Sequence, residues 1–134
     1  MSHDLRVPEP IVVTHLFGLE RAALLGVLRE LDDEEWRRPT VCAGWTVHDV
    51  ALHLLGGYLG NVARRRDRWP EAELPPGADL VGRLNAHHTR WVEAARRLRP
   101  ALVIDLLALA GAQLDAYFAG IDARAMGGGV AWAG

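Results

Sequence analysis

Six histidines, one cysteine and a short run of arginines are the side chains in this sequence with the means to do chemistry. Imidazole is a preferred ligand of zinc and related cations, but two histidines on one helix share a face only at a spacing of three or four. His48 and His53 stand five apart and His87 and His88 are adjacent, so no pair along a single helix meets that condition. The sequence holds no His-x-x-x-His or His-Glu-x-x-His motif, no serine nucleophile elbow, no Walker loop and no dinucleotide glycine fingerprint.

His53 stands out through its neighbours. At helical pitch it shares a flank with Asp49, Gly56, Gly57 and Gly60. A glycine inside a helix costs about 1 kcal/mol relative to alanine, so three of them this close together need a cause. Room for a ligand beside the imidazole is one cause; close approach of a neighbouring helix is the other. His87 and His88 flank an apolar stripe, which turns one of them inward as a hydrogen-bonded core histidine. His15 and His48 read as surface or boundary residues. Cys42 precedes a helix start, where the helix dipole can lower a thiol pKa, although a structural thiol is the plainer reading. The arginines from Arg64 to Arg68 suit an anion, and equally a solvated helix end.

Helices must position these groups. The first is expected to open near Pro8-Glu9-Pro10, where proline suits an initial turn, and to run to about Leu31. Its stripe is Val12, Leu16, Leu19, Ala23 and Val27, widened by Val13, Phe17, Leu24, Leu28 and Leu31, which implies burial on two sides. Asp32 to Trp36 reads as a short turn, and Arg38-Pro39-Thr40 as extended chain. A second helix starts after Thr46, whose side chain caps it while Asp49 completes a capping box. Its stripe is Val47, Val50, Ala51, Leu54, Tyr58 and Val62, and arginines close it, where they complement the dipole.

Glu71 to Gly77 is a loop by composition. The third helix spans about Asp79 to Leu98 with Leu80, Val81, Leu84, His88, Trp91, Ala95 and Leu98 on its stripe. Pro100 opens a fourth, with core positions Val103, Leu106, Leu107, Ala110, Leu114, Tyr117 and Phe118. After Asp122 the pattern dissolves into Gly127-Gly128-Gly129 and Val130-Ala131-Trp132, a kind of segment that usually joins two elements. Four amphipathic helices with short connections make an all-α, antiparallel up-and-down four-helix bundle, a single domain over 1–134.

The composition excludes several classes. At 134 residues, 50% apolar and 24% charged, the chain can bury its own core, and a net charge of −2 leaves no basic field for nucleic acid. A single cysteine permits no internal disulfide, which fits a reducing, cytoplasmic setting. The first residues lack the apolar core of a signal peptide. Ala101 to Ile121 is apolar but carries Asp105, Gln113 and Asp115, and a central Asp costs roughly 2.5–3.5 kcal/mol in a bilayer. It is a core helix, and no membrane partner is expected.

The segment from Trp36 to Leu54 carries a more specific signal: Trp36-x-x-Pro39-Thr40-x-Cys42-x-Gly44-Trp45-Thr46-Val47-x-Asp49-Val50-x-x-His53-Leu54. It resembles the DinB-like metalloenzyme superfamily, and within it the N-terminal domain of mycothiol-dependent maleylpyruvate isomerase and related actinobacterial proteins. Helix order and Asn85 in the third helix agree with it. The resemblance implies a four-helix bundle holding a divalent metal, commonly zinc, by three side chains. His53 matches the first ligand. The other two belong to a later helix, expected past the end of this sequence, so the bundle is expected to be incomplete here.

What the resemblance implies chemically is a metal-dependent, thiol-using isomerase or transferase. The partners would be a low-molecular-weight thiol, held as thiolate, and a small electrophilic substrate. The alternative is a metal-free helical binding or dimerisation module of the same descent, without catalytic activity. Either way, an apolar flank left open would suit a homodimer.

Overall fold

The computed structural model describes residues 9–70 and 73–125, and all of its regular structure is helical. After a 3-10 turn at Thr14–Leu16 come α1 (Phe17–Glu30), the one-turn α2 (Asp33–Trp36), α3 (Val47–Asn61), α4 (Leu80–Ala95) and α5 (Pro100–Ala119). A π-helical turn, Val62–Arg66, prolongs α3. The glycine run at Gly127 and the Val130-Ala131-Trp132 segment lie outside the described residues.

Local chemistry sets most of the boundaries. Asp32 caps α2 by accepting from the amides of Glu34 and Glu35 while Glu35 reaches back, and the buried Trp36 anchors this turn to the core. Thr46 and Asp49 form the capping box expected for α3. Asp79 caps α4 through the Gly82 amide at 2.6 Å, and Pro100 occupies the first turn of α5.

α1 departs from expectation twice. It begins at Phe17, well after the prolines, because Ile11, Val12 and Val13 form a β-branched run with poor helix propensity. The central line of its expected stripe faces outward, Leu19 being 68% and Val27 59% exposed, whereas Leu28, Leu24 and Leu31 from the widened stripe turn inward beside the buried Leu25. Apolar residues surround this helix, so spacing alone could not select the inward face.

The contacts fix the directions. Arg21 pairs with Asp115 and Phe17 meets Phe118, so α1 runs antiparallel to α5. Asp49 pairs with Arg96 and the Leu52 carbonyl with Trp91, so α3 and α4 are antiparallel. His48 reaches Leu98 just before α5, while Arg66 reaches Gln113 within it, so α3 and α5 run parallel. The principal pairings form a row, α1 on α5, α5 on α3, α3 on α4. This is the expected all-helical class with helices alternating in direction.

Leu52, Leu55, Val92, Val103 and Leu107 are fully buried where α3, α4 and α5 meet. Each contributes on the order of 1.5–3 kcal/mol by leaving water. Among the described residues α5 alone is long and apolar enough to cross a membrane. Here Val103, Leu107 and Ala110 face the core, and Asp115 holds Arg21.

Candidate functional site

The loop ahead of α3 is built around a few hydrogen bonds. The Thr40 amide donates to the Trp45 carbonyl at 3.0 Å, and the Val47 amide to the Arg38 carbonyl at 3.0 Å. The Thr40 hydroxyl donates to the same Trp45 carbonyl at 2.9 Å and accepts from the Cys42 amide at 3.1 Å. Gly44 closes the loop at φ 79°, in the left-handed region where a side chain is strained. This turns the Trp45 ring onto His53, with centroids 5.1 Å apart. Cys42 is exposed on the loop.

Asp49 works in two directions. Its carboxylate accepts from the Thr46 amide at 3.0 Å and from Arg96 at 2.8 and 3.2 Å, tying the start of α3 to the end of α4. Burial pushes this carboxyl up, but the Arg96 hydrogen bond, the Thr46 amide and the Arg96 charge outweigh it and hold it below its ordinary value. Three residues further along α3, Trp91 Nε1 donates to the Leu52 carbonyl at 2.7 Å. The α3–α4 register is therefore pinned on the approach to His53.

That register brings His53 against His88, with ring centroids 4.9 Å apart and planes at 67°. Both rings are half-buried. His88 is the inward-turned member of its pair and His87 is exposed, with ring centroids 5.8 Å apart. Burial, then the neighbouring His53 and His87, lower the pKa of His88, which favours the neutral, lone-pair-bearing imidazole. Sequence spacing could not reveal this meeting, because the two imidazoles come from different helices; only antiparallel pairing of α3 and α4 predicts it. His48 has a structural role instead, with Nε2 2.8 Å from the Leu98 carbonyl and its ring edge-on to Trp36.

The glycines beside His53 divide between the two causes weighed for them. A Cβ on Gly56 would lie 2.5 Å from Trp91 Nε1, so this glycine admits the α4 tryptophan. A Cβ on Gly57 or Gly60 would meet nothing within 4 Å, so that flank is open. The arginines beyond are engaged: Arg65 with Asn61, Arg66 with Asp67 and Gln113.

Two imidazoles suit zinc and its neighbours in kind, but such a site takes three or four protein donors. No cluster of three His, Cys, Asp or Glu groups suited to a cation occurs among the described residues. A separate, mainly apolar cavity of about 380 Å³ lies between α1, α3 and α5, lined by Phe17, Leu54, Tyr58 and Phe118 among others. The part-buried Arg21–Asp115 pair forms one wall, and Gly111 leaves room for the arginine stem. Burial, then opposed effects of Arg21 and of Asp115 and Glu20, leave the Tyr58 phenol raised above its ordinary pKa.

Comparison with known proteins agrees with the motif. The sequence is 26% identical over 96 residues to a Bacillus mycoides (strain KBAB4) protein that carries the provisional name of a metal-dependent hydrolase. That alignment takes in 58% of this chain and 55% of the relative, so the chain spans about half the length of the curated protein it matches. No solved structure matches it. The sequence pattern described as "Mycothiol maleylpyruvate isomerase N-terminal domain" matches residues 17–133, and the chain belongs to that family.

Proposed function

We propose that this chain is the metal-binding domain of a cytoplasmic, thiol-dependent isomerase or transferase, with His53 as a ligand of a divalent cation, zinc. The observation that supports this best is the placement of the motif's imidazole. It is neither turned out to water nor sealed in the core, but half-buried between Trp45 and His88 beside the open flank at Gly57 and Gly60. A bound cation would act as a Lewis acid that keeps a low-molecular-weight thiol ionised near neutral pH. The chain's own part is positional: the Thr46–Asp49 cap and the Trp45 ring orient His53, and the glycine flank admits thiol and electrophile.

A second reading is the metal-free binding or dimerisation module. It draws on the absence of a three-donor cluster among the described residues and on the exposed apolar face of α1 at Leu19 and Val27. Elemental analysis of purified wild-type protein and of His53→Ala separates the two. About one equivalent of zinc in the wild type, lost in the variant, is the expected result. Wild-type protein that takes up no divalent metal overturns the metal-binding reading.

A further inference from the structure

We propose that the cavity between α1, α3 and α5 binds a small uncharged molecule whose body is apolar and whose single hydroxyl or carbonyl group hydrogen-bonds to the Tyr58 hydroxyl. This site is separate from His53. Leu54 and Tyr58, four apart on one face of α3, look towards α1 and α5, whereas His53 turns to His88 on α4.

Shape is the first support. Folded interiors leave few voids larger than a water molecule, yet this space measures about 380 Å³, within the roughly 300–1,000 Å³ of small-molecule pockets. It is at the small end of that range, which suits a body of one or two fused rings. Phe17 and Phe118, edge to face with centroids 5.2 Å apart, give it an aromatic wall, and Leu24, Leu54 and Leu114 continue the apolar lining. Gly111 lets the Arg21 stem lie close along α5, so that this long side chain forms part of the wall.

Charge is the second. The Arg21 guanidinium and the Asp115 carboxylate on that wall are paired with each other and only 17% and 27% exposed. An anion would have to draw Arg21 away from Asp115, and an organic cation would have to draw Asp115 away from Arg21. Either exchange breaks a part-buried pair and strips water from a charged guest. Glu20, the remaining charge at the cavity, is exposed and screened by water. An uncharged guest disturbs none of these groups.

An open hydrogen-bonding position is the third. Tyr58 is half-buried, and among the described residues its hydroxyl makes no hydrogen bond. Burial, the largest influence on it, raises its pKa, so the phenol keeps its proton near neutral pH and offers it to an acceptor, while its oxygen can accept in turn. A polar group facing an apolar cavity without a protein partner has to find one outside the chain.

The test is titration of the 134-residue chain, followed by protein NMR, with naphthol, naphthoate and naphthylmethylammonium, which share one apolar body, and with naphthalene, which has no head group. Expected are binding of naphthol and affinities at least about tenfold lower for the two charged compounds. Tyr58→Phe should weaken naphthol about three- to tenfold and leave naphthalene unchanged, and Leu114→Trp, which fills the space, should abolish binding of both. Equal affinity for naphthol and either charged compound overturns the ligand class. Wild-type naphthol affinity in Tyr58→Phe overturns the role of the hydroxyl, and no binding of naphthol by the wild type overturns the site. Should Leu114→Trp lose its fold, nuclear Overhauser contacts in the wild-type complex decide: naphthol protons must lie against the Phe17 and Phe118 rings, and contacts elsewhere refute the proposal.

Discussion

Gly56 and Gly57 are chain neighbours with opposite surroundings. Alanine at 56 would drive its methyl into the Trp91 indole, which is held by the Leu52 carbonyl and cannot simply turn away. Gly56→Ala should therefore destabilise the fold by about 1–3 kcal/mol, as overpacking does. Alanine at 57 meets open space and gains helix propensity, so Gly57→Ala should stabilise by up to about 1 kcal/mol. Urea unfolding of the two variants checks the contrast, and equal effects would contradict it. The glycine cluster itself was visible in the sequence, as was the weight on His53. What each glycine does was not, because that depends on which side of α3 receives α4. The His53–His88 meeting was hidden for the same reason.

Element boundaries were legible wherever a side chain bonds to its own backbone. Thr46 and Asp49 announced the start of α3 to the residue, and Pro100 did the same for α5. Thr46→Ala should cost about 1 kcal/mol, the usual loss of a helix cap. Gly44→Ala should cost about 1–2 kcal/mol, since the loop that presents Trp45 needs a left-handed residue there. Thermal unfolding followed by circular dichroism reads both, and a Gly44→Ala midpoint at the wild-type value would show that the loop can close another way. The start of α1 was misplaced by rules of the same local kind: prolines suggested an early opening, and the β-branched run behind them delayed it. Its buried face lies beyond any local rule. A helix apolar around most of its circumference offers no contrast between faces, and only packing of Phe17, Arg21 and Leu25 towards α5 decides which side turns inward.

At the scale of the whole molecule, two perturbed groups tie stability to pH in separate windows. His88 binds its proton more weakly in the folded protein than at the ordinary imidazole value of 6.5, through burial first and then the proximity of His53 and His87. As pH falls through 6.5 the unfolded chain takes up protons that folded His88 resists, so stability declines until the depressed folded value is passed. Above about pH 7 His88 is neutral in both states and contributes no slope. Asp49 acts lower: Arg96 and Thr46, working against burial, hold its pKa below 3.8, so its contribution is present above that value. It is lost as the pH falls further and the Asp49 carboxylate facing Arg96 is neutralised. Thermal midpoints of the metal-free protein should therefore drop between about pH 7.5 and 5.5, and again under strong acid. His88→Gln removes the first drop and leaves the second, because it takes out the imidazole proton equilibrium but not the Asp49–Arg96 tie. An undiminished loss between those two pH values in His88→Gln would assign the near-neutral window to another group, and with it deny that the α3–α4 seam is where this fold senses protons.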